Sequence, residues 1–145
     1  MSAIMMSIKP EAVRDIASGR IKAEVKRSYP HFLKPPFKVY IYEARGEYKN
    51  QDKIGYTVYR HDGRGAVVGE AICHDIKEFT DSNGYEQANA IGMAPRDITK
   101  CLDGHTGYVF YFSDVKMYGI PKPIEAFGGK QPPGNWYHVK ERSEQ

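Results

Sequence analysis

The first 20 residues combine an apolar run with a helical pattern. Ile4 to Ile8 is a short, mostly apolar run of the kind found in buried strands. From Pro10 onward the apolar residues recur at helical spacing, and proline is favoured in the first turn of a helix. Gly19 suits the position just after a helix C-terminus. The pattern therefore predicts a short strand followed by a helix that ends at Gly19.

A pattern with a two-residue period follows at once. In the stretch IKAEVK, residues 21 to 26, every second residue is apolar and every other one is charged. Such alternation is typical of a strand that buries one face. Two interpretations of the charged face stay open: a solvated surface in which the carboxylate neutralises its neighbours, or a surface that meets a ligand. The charged face carries Lys22, Glu24 and Lys26, and Arg27 comes directly after them.

Further strands are predicted from runs rich in β-branched and aromatic residues. They cover Phe37 to Tyr42, Ala66 to Ile76, Gly107 to Phe112 and Trp136 to Val139, with a short candidate at Tyr56 to Tyr59. Asp114 to Tyr118 is predicted either to continue the strand Gly107 to Phe112 or to pair with it. Gly69 interrupts the second run, which indicates a bulge or a close approach of another segment.

The remaining segments are predicted from turn residues and polarity. Asp62-Gly63 is a hairpin-turn dipeptide. The polar stretch Glu43 to Ile54 is predicted to be a loop or the tip of an excursion, and the proline-rich stretch Pro121 to Pro133 is predicted to be a loop. Arg96 to Leu102 is predicted to be a helix.

These elements predict an α+β fold that is mostly β. Strands do not alternate strictly with helices, so a doubly wound sheet is excluded. We expect a small, mostly antiparallel, partly closed barrel of about six strands with two or three short helices. A chain of 145 residues suffices for one domain, so residues 1–145 are predicted to form a single domain with a flexible tail at 141–145.

The charge is mild overall but unevenly distributed. The net charge is +3, which does not by itself indicate a nucleic-acid partner. Between Arg20 and Lys38, however, six basic residues accompany the single acidic residue Glu24. Residues 1–8 lack the basic start and cleavage site of a secretory signal, and no apolar run reaches transmembrane length. We therefore expect a cytoplasmic protein.

The cysteines and histidines do not form a metal-binding pattern. Cys73 and Cys101 have no metal-ligand spacing, and both are predicted to be reduced thiols of the core. The histidines occur singly, without a His-x-x-x-His pair. We therefore expect no metal and no cofactor. The histidines are His31, His61, His74, His105 and His138.

The order of several segments resembles ASCH proteins of the PUA-like superfamily. The segments are SIKPEAVRDIASGR, KVYIYEARG, VVGEAICHDI, YFSDVKMYGIPKPIEAF and QPPGNWYHV, which together extend from Ser7 to Val139. The late segments look like the ASCH version carried by bacteriophages and prophages, which would place the protein in a bacterial host cytoplasm. The resemblance implies a small β-barrel with a cleft between barrel and helices, lined by the strand from Gly19 to Arg27.

The family signature is matched only in part. It reads Gly-x-Lys-x-x-Glu-x-Arg, and Gly19 and Glu24 match it. Ile21 stands in place of the signature lysine, and Lys26 stands in place of the arginine. Lys22 and Arg27 each come one place late, and an offset of one residue turns a side chain to the opposite face of a strand. Lys22 would therefore supply the missing charge from a different position.

The favoured function is a module that binds RNA, a nucleotide or a modified base, since PUA-like domains commonly do so. The basic residues would contact phosphates, Glu24 would orient a lysine or accept a base amino hydrogen, and Glu70 would form a polar floor. Tyr29, His31 and Phe32 would stack on bases. Trp136 would serve as a platform at the cleft or cap the core. The predicted ligand-binding residues are Arg20, Lys22, Glu24, Lys26, Arg27, Glu70 and Trp136, with Lys34 and Lys38 extending the basic stripe.

Other function classes stay open. One ASCH branch resembles an amidohydrolase of acetylated cytidine that uses a lysine, a threonine and a glutamate. By position these fall on Ile21, Glu24 and Glu70, so only the last is retained. If the protein is an enzyme, Lys22, Glu24 and Glu70 are the candidate catalytic residues of a nucleoside hydrolase or a ribonuclease. A phage protein that binds a host protein through exposed tyrosines is the third class.

Overall fold

The computed structural model describes residues 2–51, 57–79 and 104–140, the stretch 91–93, and the single positions 88, 98 and 102. Side chains are not described at 46–51 and 57–62. The predicted tail at 141–145, Cys101 and most of the predicted helix at Arg96 to Leu102 lie outside these residues, although Ile98 and Leu102 are helical. None of the described helices is long and apolar enough to cross a membrane.

The described elements are eight strands, one α-helix and one 3-10 turn. In chain order they are β1 (Ala3–Ile8), α1 (Pro10–Ala17), β2 (Ala23–Lys26), β3 (Phe37–Glu43), β4 (Gly46–Gln51), β5 (Thr57–Asp62), β6 (Ala66–Phe79), β7 (Gly107–Lys122), the 3-10 turn (Ile124–Phe127) and β8 (Trp136–Val139).

Six of these strands form one mixed sheet. Their order is β2-β7-β6-β3-β1-β8, while β4 and β5 pair separately as an antiparallel hairpin. Within the large sheet β1 and β3 are parallel, and the other neighbours are antiparallel. Backbone pairing between the edge strands β2 and β8 is not found in the described part of the chain, so the predicted barrel is not closed.

Three apolar clusters cover the two faces of this sheet. The concave face holds the main core, which includes Phe37, Val39 and Phe110, and Val13 and Ile16 of α1 pack against it. On the convex face, Ala23 and Val25 of β2 pack against Ala88, Ile91, Ile98 and Leu102. The convex face of β1, β3 and β8 is covered by Ile124 of the 3-10 turn. Apolar burial on both faces explains why β1 reads as a continuous apolar run.

Helix α1 closes the concave face because its sequence suits a short amphipathic helix. Pro10 occupies the first helical turn, and the N–H of Val13 donates to the carbonyl of Lys9 at 2.9 Å. Ile16 is 2% exposed. The chain leaves the helix through Gly19, whose φ of +80° is accessible to glycine at little cost.

Several predicted loops and turns differ in the structure. The polar stretch predicted as a loop or the tip of an excursion contains β4, which pairs with β5 in a hairpin separate from the six-stranded sheet. Asp62-Gly63 does not connect two paired strands, because β5 pairs with β4 and not with β6. The proline-rich loop begins within β7, which extends to Lys122, and it contains the 3-10 turn. The prediction for Gly69 is confirmed, since the register of β6 with β7 shifts between Val67 and Gly69.

Candidate functional site

Strand β2 turns its charged residues toward the concave core. Glu24 lies opposite Phe110 in the pairing of β2 with β7, and Phe110 belongs to the main core. Glu24 is only 9% exposed, so the interpretation of this carboxylate as part of a solvated surface is wrong. The apolar residues Ala23 and Val25 occupy the convex face instead. Both faces of β2 are therefore covered.

Burial dominates the electrostatics of Glu24. Loss of hydration raises the pKa of its carboxyl group, while the charges of Lys26 and Lys9 and the Val25 N–H act in the opposite direction. Its Oε1 atom accepts a hydrogen bond from the backbone N–H of Val25 at 3.0 Å. A carboxyl group in this setting holds a proton to a higher pH than an exposed glutamate does.

Lys26 lies next to this carboxylate and reaches across the open side of the sheet. Its side chain is half-buried, and Nζ donates a hydrogen bond to the backbone carbonyl of Ser7 in β1. Lys26 therefore belongs to the same polar cluster as Glu24, and its ammonium group is engaged within the protein.

The other predicted basic residues lie outside this cluster. Arg20 is held by Asp15 through two hydrogen bonds of 2.9 and 2.7 Å, and its pKa is raised by that carboxylate. Lys22 precedes β2 and is exposed, while its carbonyl accepts the N–H of Phe112 at 2.8 Å. Arg27 follows β2 and is also exposed. The predicted basic residues therefore do not form one continuous charged surface with Lys26.

Glu70 does not form the floor of the Glu24 site. It lies opposite Tyr40 in the pairing of β6 with β3, on the convex face. Its partners are Lys38, with an Nζ to Oε2 distance of 3.3 Å, and the Tyr118 hydroxyl, which donates to Oε1 at 3.4 Å. Glu70 is therefore paired with Lys38 of β3. Lys38 itself lies on the convex face and does not extend the stripe.

An aromatic surface lies beyond the end of β2. The ring centroids of Phe32 and His138 are 5.4 Å apart, and those of Tyr29 and His31 are 4.0 Å apart. Tyr29 also contacts Tyr108, at 4.6 Å. Trp136 is half-buried against the main core, which agrees with the capping interpretation. The aromatic surface comprises Tyr29, His31, Phe32, Tyr108, Trp136 and His138.

Two of these residues, Tyr108 and His138, were not predicted as site residues. They come from β7 and β8, far in sequence from Tyr29 and Phe32. The alternating pattern of β8 could have indicated that His138 is exposed, but not which side chain it would meet. Among the residues that the structure describes, no group of three or more His, Cys, Asp or Glu residues could hold a metal ion.

Comparison with solved structures identifies the architecture. The ASCH protein from Zymomonas mobilis aligns with a TM-score of 0.70 at 16% identity, covering 96% of this chain and 88% of that one. A tyrosine-to-phenylalanine mutant of the same protein gives a TM-score of 0.71 at 16% identity, with 97% and 92% covered. A serine-to-alanine mutant of that protein gives a TM-score of 0.69 at 17% identity, covering 96% of this chain and 89% of the other.

Searches with the amino-acid sequence do not identify a family. No protein-family model matches the chain, and a search of curated proteins returns no match. At this level of identity a structural likeness shows the fold. The chain has an ASCH-like fold, a mostly-β mixed sheet with one helix on its concave face and a 3-10 turn on its convex face.

Proposed function

We propose that this protein is a non-catalytic module that binds single-stranded RNA through the aromatic surface beyond β2. The observation that carries the proposal is the position of Phe32, which is 72% exposed and contacts His138. A large apolar ring held in solvent by a second ring offers a face on which a nucleobase can stack. The ASCH-like fold supports a nucleotide-related role for such a module.

Positive charge lies beside the aromatic rings. Arg27 and Lys34 are exposed on the two sides of Tyr29 and Phe32 along the chain. Phosphates of a strand whose bases stack on the rings would meet these cations. Because two phosphate contacts release condensed counterions, the logarithm of the binding constant should fall with the logarithm of salt concentration at a slope of roughly −1.4.

The polar cluster of Glu24 and Lys26 helps to position the aromatic surface. Lys26 bonds to Ser7, and this contact holds β2 near β1 so that the segment after β2 lies beside β8. The same segment is fixed by the indole N–H of Trp136, which donates to Ser28. These contacts position Phe32 against His138.

The test is fluorescence anisotropy of labelled single-stranded RNA and DNA at several salt concentrations. Phe32→Ala should weaken binding about 5-fold to 150-fold, because stacking contributes roughly 1–3 kcal/mol per base. Arg27→Glu should weaken binding and reduce the magnitude of the salt slope. Ile120→Ala and Lys116→Glu are matched controls, since both residues are exposed on the other end of β7. Absence of saturable binding at low salt, or equal losses in the controls, would refute the proposal.

Hydrolysis of a modified nucleoside is the second candidate, and the raised pKa of Glu24 favours it. A buried carboxyl group whose pKa is raised above that of an exposed glutamate by loss of hydration suits general acid catalysis. Incubation with N4-acetylcytidine, followed by chromatography, tests this function. Release of cytidine by the wild type and its loss in Glu24→Gln would establish it, whereas no release by the wild type would exclude this substrate.

A further inference from the structure

The second half of β7, from Asp114 to Lys122, has an open edge, and we call this segment the β7 arm. Strand β2 pairs with β7 only from Tyr108 to Tyr111, and the carbonyl of Lys22 accepts the N–H of Phe112 at 2.8 Å. Beyond Phe112, β7 pairs with β6 alone in the part of the chain that the structure describes. The arm therefore presents an edge to which another strand can add.

The β7 arm also exposes apolar side chains. Ile120 is 82% exposed and Val115 is 38% exposed. Among the residues whose exposure the structure describes, Phe32 is the one other large apolar residue in this class. Ile120 lies where the register of β6 with β7 shifts, between Met117 and Lys122. An exposed apolar side chain on an open strand edge is typical of a surface that pairs with another chain.

The charges of the β7 arm are complementary to those of a second copy of the same arm. Asp114 lies four residues before Tyr118, and Lys122 lies four residues after it. In an antiparallel pair of arms centred on Tyr118, each Asp114 therefore lies opposite Lys122 of the second copy. Lys116 lies opposite Ile120, along which its aliphatic stem can pack. Centring the pair on Gly119 would instead place Lys116 opposite Lys122, and like charges directly opposite each other are destabilising.

The fold fixes the centre and one end of the arm before any contact forms. The Tyr118 hydroxyl donates to Glu70 at 3.4 Å, and Nζ of Lys122 lies 4.5 Å from the centroid of the Tyr118 ring. Asp114 has a φ of +51°, a conformation that aspartate adopts more readily than most residues do. Less side-chain freedom is therefore lost when Lys122 meets a carboxylate of the second copy.

We infer that the protein forms a homodimer in which two β7 arms lie antiparallel about a twofold axis at Tyr118. Such a contact uses each open edge once, so it closes as a dimer and does not extend into a filament. Pro121 has no N–H and ends the backbone pairing on either side of the axis. The inference does not rest on the proposed RNA binding, because the aromatic surface includes Tyr108, at the other end of β7.

Sedimentation equilibrium from micromolar to millimolar protein concentration tests the inference. The mass should rise from that of one chain to that of two and then remain constant. Lys122→Glu should weaken the association about tenfold, because it places two carboxylates opposite each other at two symmetric positions in the dimer. The double variant Asp114→Lys/Lys122→Glu exchanges the two charges and should restore the association. Ile120→Asp should leave the protein monomeric.

Two controls separate this contact from other surfaces. Phe32→Ala removes the other exposed apolar side chain and should leave the dimer intact. Lys77→Glu reverses an exposed charge near the other end of β6 and should also leave it intact. Circular dichroism spectra and melting temperatures should match those of the wild type in every variant compared. Asp114→Asn, whose side chain tolerates the same backbone conformation, should weaken the association even if the double variant does not fold.

Three results would overturn the inference. One is a wild-type protein that stays monomeric at millimolar concentration. Another is a dimer that Lys122→Glu and Ile120→Asp leave intact, or that Phe32→Ala or Lys77→Glu dissociates as readily. The third is a folded Asp114→Lys/Lys122→Glu variant that associates no better than Lys122→Glu, since the antiparallel alignment requires these two charges to meet.

Discussion

The indole N–H of Trp136 donates to the carbonyl oxygen of Ser28 at 3.3 Å and to its hydroxyl at 3.2 Å. Trp136 begins β8, and Ser28 follows β2, so this contact joins the two edge strands of the sheet. Lys26 makes the comparable contact to Ser7 of β1. Side chains of β2 and β8 thus join β2 and the segment after it to β1 and β8, which backbone pairing leaves apart.

Replacing Trp136 with phenylalanine should test the contribution of this contact. The variant retains an aromatic ring against the core but loses the N–H donor, so the free energy of unfolding should fall by about 0.5–1.5 kcal/mol. Urea denaturation measures the change. Ser28→Ala, which keeps the carbonyl acceptor, should cost less. A Trp136→Phe variant as stable as the wild type would show that the contact contributes nothing.

Burial of Glu24 predicts a pH dependence of stability. Because its folded-state pKa is raised above the ordinary value near 4.5, the folded state binds this proton more tightly than the unfolded state does. The free energy of unfolding of the wild type relative to Glu24→Gln should therefore fall as the pH rises from about 4.5 through the raised pKa, and then level off.

Denaturation of both proteins at closely spaced pH values measures this difference. A carbon-13 NMR titration of the Glu24 carboxyl group gives the folded-state pKa directly. A difference in stability that rises with pH over this range would mean that the charges of Lys26 and Lys9 outweigh the cost of burial.

Gly69 should not tolerate a side chain. An added Cβ would lie 2.7 Å from the carbonyl oxygen of Lys116 and 2.9 Å from the sulfur of Met117, where β6 bulges against β7. Gly69→Ala should therefore lower the free energy of unfolding by about 1–3 kcal/mol. Gly119→Ala is the matched control on β7, since its Cβ would meet nothing within 4 Å, and it should change stability by less than about 0.5 kcal/mol. Equal effects of the two substitutions would contradict the proposed steric cause.

Cys73 should be inert toward thiol reagents in the folded protein. Its side chain is fully buried, and loss of hydration raises the pKa of its thiol to about 12, so the reactive thiolate is scarce. In a Cys101→Ser background, Ellman's reagent at about pH 8 should react with Cys73 only after denaturant is added. Rapid reaction of the native protein would show that this part of the core opens readily.

Hydrophobic periodicity and turn residues correctly predicted the elements whose sequences are strongly patterned. The helix α1 and the strands β1, β3 and β8 appear where hydrophobic periodicity and proline placed them. β4 was predicted as a loop or the tip of an excursion, because its polar sequence carries no apolar period, and its backbone pairs with β5. Hydrophobic periodicity cannot indicate a strand whose sequence is mostly polar.

The candidate site was predicted only in part, because its contacts join segments that are distant in the sequence. Periodicity showed that the two faces of β2 differ, but it could not show that the sheet curves and α1 covers the charged face. The apolar face is covered as well, by residues near Ala88 and Ile91. Likewise, the contact between Phe32 and His138 joins residues more than a hundred positions apart in the chain, which no local pattern encodes.

The position of β1 between β3 and β8 has a consequence for folding. Ala3 pairs with Lys38 on one side and with Val139 on the other, so β1 completes its hydrogen bonds only with β8, which lies far from it in the sequence. Closing a loop of this length is slow compared with forming a hairpin. Until β8 arrives, the apolar strand AIMMSI presents an open edge, the kind of surface that recruits neighbouring chains. Deletion of β8 should therefore favour aggregation over a stable monomer.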